Sequence, residues 1–92
     1  MRFLDFHGQV NKHKKREGFG RMCSQEGVII EGYFANNELN GYARIINKDA
    51  SWLEGYFKDN KRHGSVKCVD IHGKQEYGYW INDKYAKITN ML

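Results

Sequence analysis

Gly41-Tyr42-Ala43-Arg44-Ile45 and, beyond a short polar break, Glu54-Gly55-Tyr56-Phe57 are a pair of motifs that the chain states three times. The first has counterparts in Gly18-Phe19-Gly20-Arg21-Met22 and Gly64-Ser65-Val66-Lys67-Cys68. The second has them in Glu31-Gly32-Tyr33-Phe34 and Tyr77-Gly78-Tyr79-Trp80, each displaced by 23 residues. A strict period in the twenties marks an array of like supersecondary units, each too small to bury its own apolar side. Glycines inside every apolar segment, and aromatic and β-branched residues alternating with period two, argue against helices. The sequence therefore predicts an all-β chain of β-hairpins repeated every 23 residues.

Laid out on that period, residues 1–17 are a degenerate half unit and a basic turn, 18–40, 41–63 and 64–83 are three units, and 84–92 is a C-terminal strand. Strands are expected within 1–10, as the second strand of the half unit, and near 18–24, 28–35, 41–47, 51–58, 64–70, 74–81 and 84–90. Hairpin tips fall at 25–27, 48–50 and 71–73, and five-residue loops at 36–40 and 59–63. Asn, Asp and Gly gather at these breaks because they tolerate positive φ and bond their own backbone. Gly8 to Gly18 spans ten residues where Gly32 to Gly41 and Gly55 to Gly64 span nine, so the basic turn carries one extra residue.

Side-chain chemistry suggests a register. If paired residue numbers sum to 52, 98 and 144 in successive hairpins, Arg21 meets Glu31, Arg44 meets Glu54 and Lys67 meets Tyr77. Phe19 then meets Tyr33, Tyr42 meets Tyr56 and Ser65 meets Tyr79, while Met22 faces Ile30 and Ile45 faces Leu53. Such like-with-like pairs stabilise a sheet by about 0.2–1 kcal/mol each. One face is then aliphatic, with Phe34, Phe57 and Trp80 over a floor of small residues. The other carries the tyrosines beside charged rows. Glu76 stands where Ile30 and Leu53 predict an apolar residue, so the third hairpin should be less covered.

Ninety-two residues allow one small domain, burying roughly 60% of the surface its unfolded chain exposes, so stability must come from stacking neighbours. No run approaches the roughly 20 apolar residues of a membrane-spanning helix, and the N-terminus has the character of neither a secretory signal nor a transit peptide. A cytoplasmic location is the expectation. The net charge of +4 is uneven, since residues 1–21 hold six Lys/Arg against two acids and residues 22–92 hold nine of each. Cys23 and Cys68 read as small core residues nearly two units apart, about 19 Å at about 4.8 Å per strand, so no disulfide is expected.

Leu53-Glu54-Gly55-Tyr56-Phe57-Lys58-Asp59-Asn60-Lys61-Arg62-His63-Gly64-Ser65-Val66 resembles the MORN (membrane occupation and recognition nexus) repeat: an x-Gly-x-aromatic segment, a polar loop, then His-Gly. The resemblance covers about 18–88. Departures from the motif include Glu17 and Asn40 at the His position, Ala43 and Val66 at the second Gly, and Glu76 at a Tyr. The resemblance implies an elongated, twisted, single-layer antiparallel sheet of stacked 23-residue β-hairpins and an attachment module in cytoskeletal or ciliary scaffolds, at junctional membranes or beside a catalytic domain, without catalysis of its own.

No nucleophile elbow, phosphate loop or dinucleotide fingerprint occurs, and the four histidines and two cysteines lack zinc spacing. His63 reads as a turn residue. Glu31 and Glu54 each have an Arg opposite, so they read as ionised and structural. No catalytic residue, cofactor or metal is therefore expected. The candidate contacts are the aromatics Phe19, Tyr33, Tyr42, Tyr56 and Tyr79, which suit a protein partner in a larger assembly. The alternative is the basic run Lys12, Lys14, Lys15 and Arg16 on an anionic phospholipid surface or an acidic partner. Nucleic acid is disfavoured because the units are charge-balanced. Open sheet edges can also accept a strand, and apolar Ile88, Met91 and Leu92 point to covering by a partner or a second copy.

Overall fold

Strands β1 (Phe3–Val10), β2 (Arg16–Ser24), β3 (Ile29–Ala35), β4 (Glu38–Ile46), β5 (Trp52–Lys58), β6 (Lys61–Val69), β7 (Gln75–Ile81) and β8 (Lys84–Ala86) make up the computed structural model, which describes residues 3–86. Each pairs antiparallel with the next, in the order β1 to β8, so the chain is one open single-layer sheet of hairpins, 45 × 26 × 17 Å. The last expected strand is seen as Lys84–Ala86, and Ile88, Met91 and Leu92 lie outside the described residues.

The register follows the side-chain chemistry. Arg21 pairs with Glu31, Arg44 with Glu54 and Lys67 with Tyr77. Phe19 meets Tyr33, Tyr42 meets Tyr56 and Ser65 meets Tyr79. The alternation sends these residues to one face and the apolar set to the other.

On that second face Gly8, Gly20, Gly32, Ala43, Gly55, Val66 and Gly78 lie opposite one another from strand to strand, a row of small residues across the sheet. At Gly55 the row leaves no space: a Cβ there would stand 2.7 Å from the Val66 Cα. Beside the row sit the buried Met22, Phe34, Leu39, Ala43 and Phe57, with Phe6, Ile30, Ile45 and Leu53 packed against them. This cluster supplies the apolar burial that drives folding. Cover thins toward β7, where Glu76 is exposed and no residue is fully buried, as its charge predicts.

The loops expected at 36–40 and 59–63 are in fact two-residue turns. Asn36-Asn37 (φ 49 and 75), Asp59-Asn60 (51 and 68) and Asn82-Asp83 (49 and 69) carry the paired positive φ of type I′ hairpins. The strands resume at once. Gly41 (φ 111) and Gly64 (φ 124), read as strand starts, lie inside β4 and β6, where the register slips against β3 and β5. These are β-bulges, and their left-handed backbone requires glycine. The basic turn has a different build. Asn11 N–H bonds Lys15 O (2.8 Å) and Lys14 N–H bonds Asn11 O (2.9 Å), the pattern also seen at Ser24–Val28, Asn47–Ser51 and Asp70–Lys74. Lys14 (φ 62) takes the left-handed position that Gly27, Ala50 and Gly73 take there. This three-residue loop accounts for the extra residue between Gly8 and Gly18.

The two-residue turns are tied to the preceding hairpin by bonds that recur every 23 residues. The N–H groups of Asn37, Asn60 and Asp83 bond the carbonyls of Arg16 (3.0 Å), Leu39 (3.1 Å) and Arg62 (2.9 Å). Their side-chain oxygens accept in return from Arg16 N (2.7 Å), Leu39 N (2.8 Å) and Arg62 N (2.7 Å). The N–H groups of Asn36, Asp59 and Asn82 bond Glu17 Oε1 (3.4 Å), Asn40 Oδ1 (3.1 Å) and His63 Nδ1 (3.3 Å). His63 is thus a strand residue whose ring accepts a turn N–H, and Glu17 and Asn40 do the same with other chemistry. Cys23 and Cys68 are free thiols, and partial burial raises the Cys68 pKa.

Candidate interaction surface

The face opposite the core is striped. A middle row runs His7, Arg21, Glu31, Arg44, Glu54, Lys67 and Tyr77 from β1 to β7. Its charges alternate in sign, and Glu31 bridges Arg21 (3.5 Å) and Arg44 (4.0 Å), while Arg44 also reaches Glu54 (3.5 Å). Exposed pairs of this kind contribute little each, up to about 1 kcal/mol. Their effect here is to hold the long side chains down across the sheet.

On the turn side of that row stand the predicted aromatics. Phe19 and Tyr33 meet edge to face with centroids 5.3 Å apart, and Tyr42 and Tyr56 do so at 5.6 Å. Phe19, Tyr33, Tyr42, Tyr56 and Tyr79 stay 40–56% exposed, large apolar rings facing solvent. All five therefore lie on one face, Tyr79 beyond Ser65 and without a ring partner among the described residues. The Tyr42 hydroxyl donates to the Glu54 carboxylate. That bond is the main reason the Glu54 pKa lies below the ordinary carboxylate range and the Tyr42 phenol above its usual value.

Trp52 and Tyr77 belong to this surface although the sequence reading did not single them out. Arg44 lies 5.4 Å above the Trp52 ring and Lys67 5.3 Å from it, and Lys67 is also 5.8 Å from Tyr77. The signal was available, since Trp52 falls two residues before Glu54 and alternation puts the two on one face. With Cys23, Ile29, Ile46 and Val69, Trp52 forms a third, apolar row on the tip side. A depression of about 230 Å³ lined by Tyr42, Glu54, Tyr56, Lys67 and Tyr77 lies among the rings.

The basic run divides. Lys12, Lys14 and Lys15 are exposed in the turn, which Asn11 Oδ1 holds by accepting from His13 N (2.8 Å) and Lys15 N (3.2 Å). Arg16 turns inward instead. Its guanidinium lies 5.8 Å from the Phe6 ring and 5.4 Å from the Phe34 ring, and Nη2 donates to Asn37 O (2.8 Å). The cations the turn presents outward are the three lysines. No group of three or more His, Cys, Asp or Glu side chains that could hold a metal ion occurs among the described residues. No protein-family model matches the chain, and no curated protein matches it.

Proposed function

We propose that this chain is a non-catalytic protein–protein interaction module, a small structural or scaffold subunit whose partner lies on the aromatic face. The observation that carries the reading is the set of exposed rings Phe19, Tyr33, Tyr42, Tyr56 and Tyr79 on one face, beside charges that already neutralise one another. Rigid aromatics in a charge-balanced setting supply apolar anchoring at low entropic cost. The resemblance of the 23-residue motifs to MORN repeats supports the same reading, and extends it to a cytoplasmic scaffold, cytoskeletal or ciliary. The test is affinity purification at native level with identification of co-purifying proteins. Tyr56→Glu releases them while far-ultraviolet circular dichroism stays unchanged; full retention by that variant refutes the reading.

A second reading rests on Lys12, Lys14 and Lys15, exposed in one turn. It is attachment to an anionic phospholipid surface, at about 1 kcal/mol per lysine and with strong salt dependence. Changing the three lysines to Gln then abolishes sedimentation with phosphatidylserine vesicles. Absence of wild-type binding at physiological salt removes this reading.

A further inference from the structure

The core face carries a groove of about 280 Å³ between the buried rings and the two-residue turns, walled by Phe34, Leu39, Ile45 and Phe57 and rimmed by Asn37 and Asn60. Arg16, Met22 and Ile30 also line it. The polar side-chain groups left without a partner at this rim are donors. Asn37 and Asn60 commit their Oδ1 atoms to the N–H groups of Arg16 and Leu39, which leaves both carboxamide Nδ2 groups. Arg16 Nε is buried without an acceptor.

The equivalent position two steps along makes the contrast plain. Arg62 pairs with Asp83 at 3.0 Å, whereas Arg16 has Asn37 in that place and no salt bridge reaches it among the described residues. A guanidinium against two aromatic rings with its charge unneutralised is a site for a carboxylate.

The spacing along the groove restricts what else can lie there. Leu39 follows Arg16, and Asn60 follows Asn37, by 23 residues and two strands, which is about 9.6 Å at about 4.8 Å per strand. A polyproline II chain repeats its face every three residues, or about 9.3 Å. An α-helix presents equivalent residues after two turns at about 10.8 Å, about 1.2 Å from that step against about 0.3 Å for polyproline II. An extended strand places residues three apart on opposite sides. We propose that the groove binds a proline-rich peptide segment in the polyproline II conformation, with a carboxylate on Arg16 and, three residues on, an apolar side chain over Leu39 and Phe57. Its carbonyls accept from Asn37 and Asn60. The surface is separate from the aromatic face and does not depend on the reading given for it.

The experiment is a fluorescence anisotropy titration of the full chain with fluorescein-labelled Glu-Pro-Pro-Leu-Pro-Pro-Leu-Pro-Pro, its Gln-for-Glu version and a shuffled version, so that no variant has to fold. The Glu peptide saturates below about 1 mM, and the Gln peptide binds about tenfold more weakly, one charge-assisted hydrogen bond. Methyl NMR with the Glu peptide shifts Leu39, Ile30 and Ile45 while leaving Ile29 and Ile46, on the other face, in place. Tyr56→Glu leaves the affinity unchanged, which separates this site from the aromatic face. Failure to saturate, equal binding of all three peptides, or shifts confined to Ile29 and Ile46 overturns the proposal.

Discussion

Replacing Gly55 by alanine tests whether the row of small residues sets the spacing of the sheet. The added Cβ would stand 2.7 Å from the Val66 Cα and 2.9 Å from its Cγ2. The first of these is backbone, so β5 and β6 must part locally rather than one rotamer yield. Overpacking of this kind costs about 3 kcal/mol, against a total stability of about 5–14 kcal/mol for a chain this size. At about 4–8 °C per kcal/mol, the midpoint falls by about 12–24 °C. Gly27→Ala is the control. Its φ of +92 makes any side chain strained, yet Ala50 holds the equivalent turn position at φ 74, and a Cβ at Gly27 meets nothing nearer than Lys48 Cγ at 3.6 Å. Its cost is about 1 kcal/mol, or about 4–8 °C. Thermal unfolding followed by circular dichroism reads both. Equal losses, or a fall of less than about 5 °C for Gly55→Ala, would refute the idea that close strand approach along this row holds the hairpins together.

His63→Ala removes the acceptor for the Asn82 N–H and costs about 1 kcal/mol by chemical denaturation, whereas His63→Asn, the residue at position 40, restores most of it; equal losses in the two variants would mean that the ring matters for something else. Glu54 has a depressed pKa, chiefly through the Tyr42 hydroxyl, so its stabilising effect is complete above the ordinary value of about 4.3 and fades as pH falls through the lower folded one. The melting-temperature gap between wild type and Tyr42→Phe therefore narrows below about pH 4, and a gap that widens there contradicts the assignment. Arg16→Gln loses the cation over Phe6 and Phe34 and lowers the melting temperature, while Lys14→Gln, exposed in the turn, leaves it within experimental scatter; the reverse order would return Arg16 to the basic surface patch.

Much of this was legible because the sheet is built from one pattern used several times. Arg21 with Glu31 and Arg44 with Glu54 identify their partners by charge, and once two hairpins share a register the third follows. What misled was glycine. Gly41 and Gly64 look like strand starts after polar loops, but a residue at a bulge also needs positive φ, and the sequence alone does not say which requirement a glycine meets. The decisive signal was the neighbouring pairs Asn36-Asn37, Asp59-Asn60 and Asn82-Asp83, two successive residues tolerant of left-handed backbone, which fit a type I′ turn and leave no room for a five-residue loop. Arg16 was misplaced for a different reason. Counting it with Lys12, Lys14 and Lys15 follows adjacency in the chain, while its column, shared with Leu39 and Arg62, places it on the core side of the sheet.

That column also shows how one architecture can carry different surfaces without being rebuilt. Arg16, Leu39 and Arg62 all give their backbone N–H to the next turn, so the bond that joins hairpin to hairpin is indifferent to the side chain. The side chain is then free to be a charge over Phe6 and Phe34, an aliphatic plug 5% exposed, or a cation 3.9 Å from the Trp80 ring. The same holds for the acceptors Glu17, Asn40 and His63, whose chemistry differs while their bond does not. Because each hairpin touches only its neighbours, a change in one column stays within about one step of the array. Changes at Arg16 or Tyr56 therefore leave the glycine row that sets the spacing untouched, so the binding proposed for each face can be tested by mutation separately.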